Sequence, residues 1–394
     1  MIERIRKNIK GDRVIWAVLI VLSLLSFLAV YSSTFTLAYR YHSGHIIYYL
    51  VKHFLFLSVG LTIVYFIHLI PYRYFSRLSQ LLLMISFPLL AITLVFGTRI
   101  NSAPRWITLP GTGLTFQTSD LAKVALIMYV ARMLSLKQDN IKSFREAFVP
   151  IITRVFLICG LIMPANLSTA LLLFAVCTIL MFIGRIRFSF LAGMLALSIV
   201  GLALLISLAV KFDWNGRFET WKNRIVHHME QSDDNGRDVN YQADQSKIAI
   251  VTGGLIGKGP GNSTQRNFLP HPYSDFIFAI IVEEYGLVGG VFVVLIYLVL
   301  LFRAGLLVRS SDRTFPAFLS FGLALLLVMQ AMINMAVAVG IFPVTGQPLP
   351  LISMGGTSIL FTAAAFGIIL SVSRGIAEGK VKSEKQTEVV EEAA

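Results

Sequence analysis

The sequence predicts an all-α polytopic membrane protein, and three observations lead there. Hydrophobic residues make up 56% of the 394 and charged residues only 14%, whereas soluble domains carry about a quarter charged. Apolar runs of roughly 17 to 25 residues, each enough to cross about 30 Å of hydrocarbon, recur from end to end. The alternating strands of about 10 residues that a membrane β-barrel needs are not seen.

Read in order, 1–13 is a basic arm, and its charge places it in the cytoplasm by the positive-inside rule. The first apolar run is longer than a signal-peptide core and no small-residue cleavage site follows, so it reads as a retained helix. About ten spans are expected: Val14–Ser32, Ile47–Ile67, Leu78–Phe96, Ser119–Leu134, Val149–Met163, Ser168–Ile183, Phe188–Val210, Asp275–Phe302, Phe315–Val339 and Ile352–Ser373. An even number puts both termini in the cytoplasm. The loops then facing inward hold Arg73, Arg77, Lys137, Lys142, Arg145, Arg185, Arg187, Arg303, Arg309 and Arg313, against Arg40, Arg99 and Arg105 in the short outward loops. The net charge of +13 therefore reports orientation and not nucleic-acid binding. The tail 375–394, charged and without aromatics, is expected to be disordered.

The seven spans of 14–210 and the three of 275–374 flank a long extracytoplasmic segment, 211–274, far beyond ordinary loop lengths. Its first part spaces Trp214, Phe218, Trp221 and Ile225 as an amphipathic surface helix would, or as an ordinary surface helix. Adjacent His227 and His228 diverge on a helix and make a poor metal site. Five glycines between Gly253 and Gly261 lack the Walker A spacing, which excludes an NTPase site. Cys159 and Cys177 lie in apolar runs and read as packing residues, and His53 beside Lys52 reads as an interfacial, snorkelling position.

The organising stretch is FLPHPYSDFIFAIIVEEYGLVGG at 268–290. Asp275 stands at the mouth of the eighth span, with Glu283 and Glu284 about two turns deeper along one apolar helix, positions that are costly in hydrocarbon and therefore point to function. Asp120 and Lys123 share a face of the fourth span, either as a structural ion pair or with Lys123 keeping donors for a phosphate. The turn at Met163–Ala170 reads as structural. The segment 334–358 packs Pro343, Gly346, Pro348, Pro350, Gly355 and Gly356 between two spans, so it breaks the helix and lines a cavity or is buried against protein.

Five stretches together carry a family resemblance: N-x-x-x-R-W-I with F-Q-x-S-D-L-A-K at 101–123, YQADQSKIA at 241–249, GGLIGKG at 253–259, LPHPYSDFIFAIIVEEYG at 269–286, and 334–358. Over nearly the whole chain, in order, they resemble the SEDS family, the FtsW, RodA and SpoVE proteins of bacterial cell-wall synthesis. Three departures stand out. Ser102 precedes Ala103 where Gly is usual, Asp120 replaces the usual Glu, and the turn Pro164-Ala165-Asn166 lacks the usual carboxylate.

The resemblance implies a peptidoglycan glycosyltransferase polymerising lipid II at the outer face of the bacterial inner membrane, most like FtsW in division. A RodA-like elongation polymerase, a lipid II flippase and a non-catalytic scaffold are the alternatives. It implies Asp275 as the catalytic residue, and Arg105, Lys123, Gln242 and Lys247 as substrate-binding. Trp106, Gln117, Asp120, Glu283, Glu284, Asn334, Pro343, Gly346, Pro350, Gly355 and Gly356 are implied as supporting residues. A class B penicillin-binding transpeptidase and other division or elongation proteins are the implied partners. The chemistry needs a base for a sugar hydroxyl and a cationic neutraliser for a leaving pyrophosphate, either a basic side chain or a divalent cation such as Mg or Mn.

Overall fold

A computed structural model describes residues 10–34, 46–100, 103–108, 115–211, 237–270 and 272–392. Helices form where the apolar runs predict them: α1 (Arg13–Ser33), α2 (Ile46–Leu69), α3 (Arg73–Phe96), α4 (Thr118–Leu136), α5 (Val149–Ile162), α6 (Leu167–Ile183) and α7 (Phe188–Lys211). After α8 (Arg237–Gly253) come α9 (Ile277–Arg309), α10 (Thr314–Ala338) and α11 (Thr357–Glu392). Among the described residues, α1, α2, α3, α9, α10 and the 357–379 part of α11 are long and apolar enough to cross a membrane, and α6 and 188–204 are shorter apolar helices. The chain is a multi-pass membrane protein.

Local chemistry sets several ends. Asp12 caps α1, its Oδ1 accepting from the Val14 amide at 2.8 Å, and the same carboxylate pairs with the Arg303 Nε at 2.9 Å, tying α1 to α9. Asn166 caps α6 through the Thr169 amide, which accounts for the Met163–Ala170 turn. Helix α4 is buried on nearly all sides, with Ala122, Ala125, Leu126, Ile127, Met128 and Ala131 fully covered, so it is the central post of the bundle. Helix α2 lies along α11, where a Cβ on Gly367 would come within 2.8 Å of the Ile67 Cβ; the missing side chain permits that approach.

The structure differs from the sequence reading in five places. A small antiparallel sheet, β1 (Thr98–Ile100), β2 (Ala103–Thr108) and β3 (Thr115–Gln117), in that order, precedes α4; its Trp106, Ile107, Thr108, Thr115 and Phe116 are β-formers in runs too short to stand out beside the spans. Helix α8 fills part of the supposed loop, because Ser246 and Ala249, three apart, bury one face against the bundle. Helix α9 is broken at Gly286, at φ 70° and ψ −173°. The tail continues α11 through Glu392, a run free of proline and rich in Ala, Glu and Lys. His53 is buried, not interfacial: its Nε2 meets the Ser26 hydroxyl at 2.8 Å, and Ser26 donates to the Ile352 carbonyl at 2.8 Å. The expected surface helix around Trp214–Ile225, His227, His228, Asn101 and Ser102 lie outside the described residues.

Candidate active site

Asp275 follows the turn at Pro272–Ser274 and precedes α9, and it is half-buried. Its Oδ1 accepts from the Ser274 hydroxyl at 2.9 Å, and its backbone carbonyl accepts from the Asn334 Nδ2 at 2.9 Å. The turn is fixed from the other side as well. Ser353 donates to the Ser274 carbonyl at 2.6 Å, and the Met354 amide to the Tyr273 carbonyl at 2.9 Å.

Arg105 reaches the same place from β2, where the register sets Trp106 opposite Gln117 and Thr98. Its Nε donates to the Ala165 carbonyl at 2.8 Å, in the turn before α6. Gly346, at φ 67°, completes the site. A Cβ there would lie 3.7 Å from the Asp275 Oδ2 and 4.0 Å from the Arg105 Nη1. A carboxylate and a guanidinium from segments far apart in the sequence therefore border one small gap beside Gly346, which carries no side chain.

The broken segment between α10 and α11 is buried against protein, and side chains satisfy its backbone. Asn334 also donates to the Gln347 carbonyl at 2.7 Å, Gln330 to the Pro348 carbonyl at 2.9 Å, and the Tyr297 hydroxyl to the Pro350 carbonyl at 2.5 Å. Leu351 sits at φ 67°, a strained conformation for a branched residue. Gly355 and Gly356 complete the turn into α11, Gly356 at φ 53°, while Pro343 lies in the non-helical run after α10.

The structure buries Lys123 instead of presenting it to an outer cavity, at 6% exposure. Its Nζ holds the Asp120 Oδ1 at 2.8 Å and the Gln330 Oε1 at 3.2 Å. Through Gln330 the pair is linked to the Pro348 carbonyl, in the segment that carries Gly346. Gln242 and Lys247 lie on α8; the Lys247 Nζ is 3.5 Å from the Asp244 Oδ1, and its Cε packs where a Cβ on Gly340 would be.

Glu283 and Glu284 belong to a second arrangement. Glu283 is fully buried and accepts from the Lys258 Nζ at 2.6 Å, the Thr264 amide at 3.0 Å, the Thr264 hydroxyl at 2.8 Å, the Gln265 amide at 3.2 Å and the Ser263 hydroxyl. Glu284 accepts from the Ser32 hydroxyl and the Ser263 amide. The backbones meet as well: the Lys258 and Gly259 amides donate to the Glu283 and Glu284 carbonyls at 3.0 and 2.9 Å, and the Leu287 amide to the Gly254 carbonyl at 2.9 Å. A Cβ on Gly257 would stand 2.2 Å from the Glu284 carbonyl oxygen, and one on Gly286 2.2 Å from the Leu255 oxygen. The glycine-rich run is thus a clasp that needs bare backbone on both sides, and it holds the end of α8 against α9.

Among the described residues no three His, Cys, Asp or Glu side chains converge on a metal position. Around Gly346 the described residues offer a cation one carboxylate, Asp275, beside the guanidinium of Arg105. Sequence reasoning missed Gln330, Ser353 and Gln347, whose Nε2 donates to the Thr169 hydroxyl, as the props of the segment. Gln330 and Asn334, polar and four apart in an otherwise apolar helix, were the signal.

A family model described as a cell cycle protein of the FtsW, RodA and SpoVE type matches residues 12–377. The chain belongs to this family. Its relatives include a probable peptidoglycan glycosyltransferase FtsW of Trichlorobacter lovleyi, 33% identical and covering 95% of this chain and 97% of the relative. Stage V sporulation protein E of Bacillus subtilis is 32% identical over 93% of this chain and 98% of its own. Among solved structures, a chain from a peptidoglycan synthase complex that coordinates polymerization and crosslinking superposes with a TM-score of 0.71 at 27% identity, covering 92% of this chain and 98% of that one. The Thermus thermophilus rod shape determining protein RodA shares the fold, with a TM-score of 0.67 at 24% identity over 92% of this chain and 97% of its own. Asp275, Arg105 and Gly346 all fall within the family match.

Proposed function

We propose that this FtsW/RodA/SpoVE-family protein is a peptidoglycan glycosyltransferase that polymerises lipid II at the outer face of the bacterial inner membrane, in an FtsW-like division role. The observation that carries the reading is the meeting of Asp275 and Arg105 across Gly346. The acceptor sugar hydroxyl attacks the anomeric carbon of the donor while Asp275 takes its proton. The bond from that carbon to the lipid pyrophosphate breaks, and the pyrophosphate leaves with the electron pair. Arg105, planar and always charged, neutralises the leaving group. A second carboxylate of the hydrolase type is not needed, because water is not the acceptor.

Lys123 and Asp120 position the segment that carries Gly346, and Gln242 and Lys247 on α8 meet the polar part of the substrate. A class B penicillin-binding transpeptidase is the proposed partner, in keeping with the complex of polymerization and crosslinking that contains the similar chain. The test is polymerisation of lipid II by the purified chain in liposomes, with and without that transpeptidase, for the natural protein and Asp275→Asn. Glycan strands that disappear in a folded Asp275→Asn variant support the reading. Equal polymer from both overturns the role of Asp275, and no polymer under any partner condition overturns the polymerase.

A further inference from the structure

At the other end of α9 the molecule has a second polar cavity, of about 820 Å³, at the opposite end of the bundle from Asp275. Helix α9 runs 33 residues from the catalytic turn to Arg309, about 50 Å of helix, and the cavity opens just beyond, between Ser310–Arg313 and the start of α3. Its volume is that of a ligand pocket, and it lies where several spans end.

Its lining charges are not balanced. Arg374 is spent, its Nε on Glu378 at 3.0 Å and its Nη1 on the Leu69 carbonyl at 2.9 Å. Glu378 is spent too, shared between Arg374 and Lys10. Arg73, Arg77 and Arg313 are exposed, and their guanidiniums have no hydrogen bond or ion pair to any described residue, with Asp312 the one remaining acid in the lining. Arg73 and Arg77 stand four apart on one helix, where like charges repel unless an anion lies between them. Two helices begin here, α3 at Tyr72 and α10 at Arg313, and neither has a side-chain cap, so two positive helix ends add to the three guanidiniums.

We propose that this cavity binds a phosphate group, held by Arg73, Arg77 and Arg313, in the form carried by the headgroup of an anionic phospholipid. The position favours the lipid. The cavity sits at the ends of spans, with Ile70 and Tyr74 exposed on its rim, so a headgroup could enter while its chains stay in the bilayer. Guanidiniums at a membrane surface are suited to that chemistry. The inference is independent of the polymerase reading, because none of these residues belongs to the outer site.

The test uses the full chain in a nonionic detergent, titrated at fixed ionic strength with short-chain phosphatidylglycerol, with phosphatidylcholine of equal chain length, or with inorganic phosphate. Native mass spectrometry reads the adducts and thermal unfolding reads the stabilisation. The proposal expects phosphatidylglycerol to bind and raise the midpoint, phosphatidylcholine to do neither, and affinity to fall at least about tenfold in Arg73→Gln/Arg77→Gln/Arg313→Gln. Arg313→Gln alone, at an exposed position, guards against a folding defect in the triple variant and should weaken binding in the same direction. Binding of inorganic phosphate with the same loss in the variants supports the site with a free phosphate as its ligand. No binding of either probe, or binding unchanged by Arg313→Gln, overturns it.

Discussion

Asp275 and Glu283 are carboxylates on one stretch of chain, and the protein treats them in opposite ways. Glu283 is fully buried and surrounded by donors from Lys258, Ser263, Thr264 and Gln265. Asp275 is half-buried, accepts from Ser274, and faces Arg105 across the gap at Gly346. The difference teaches what a membrane acid is for. A carboxylate wrapped in donors is a rivet, since its charge is already compensated and its lone pairs are used. One placed at the edge of a gap beside a cation can exchange a proton with something that enters.

The comparison breaks most sharply by exchanging the losses. Asp275→Asn should lower lipid II polymerisation by about 10² to 10⁴, the usual contribution of a general base, with the unfolding midpoint unchanged. Glu283→Ala should do the reverse, leaving Lys258 and the loop amides without their acceptor and costing about 3–5 kcal/mol, read as a lower midpoint in detergent. A Glu283 variant that keeps its stability but loses activity would end the division of labour.

Smaller effects sharpen the same contrast. Lys123→Met strips the buried Asp120 of its partner and should cost about 3 kcal/mol, with Asp120→Asn/Lys123→Met together costing less than Lys123→Met alone. If Lys123 only positions the 343–350 segment, that double variant keeps measurable polymerisation, whereas a phosphate-binding Lys123 would leave none. Gly346→Ala is the mildest change. Its Cβ would meet Asp275 and Arg105 only at ordinary contact distance, but φ 67° makes a side chain strained by about 1 kcal/mol. Its expected signature is reduced turnover with nearly natural stability, and a full loss of folding would show that the gap is not merely kept open by this residue.

Much of the fold was legible because hydrocarbon thickness imposes a length on apolar runs: α1, α2, α4 to α7 and α10 begin and end near the expected positions, while α3 starts earlier, α9 ends later and α11 both starts and ends later. That Asp275, Glu283 and Glu284 would need polar partners was legible too, since charge in an apolar helix is costly wherever it is found. What could not be read was which groups would surround each of them. Whether a carboxylate is a rivet or a base depends on donors that come from residues distant in sequence, such as Ser32 and Ser263 for Glu284.

The same limit explains the clasp and the buried lysine. In the sequence the glycines at 253–261 show only as a run without the Walker A spacing, and the packed structure alone says that they meet the backbone at Glu284 and Gly286, where α9 breaks. Lys123 and Asp120, three apart on a helix, declare themselves a pair, while their burial against Gln330 is a property of how α4 meets α10. By itself the sequence determined the class, the run of helices and which polar groups would be expensive, because those follow from local hydropathy and chain length. Only the tertiary structure decided which of those groups meet, because hydrogen bonds and ion pairs act over a few ångströms and are formed by the packing of segments that the sequence keeps far apart.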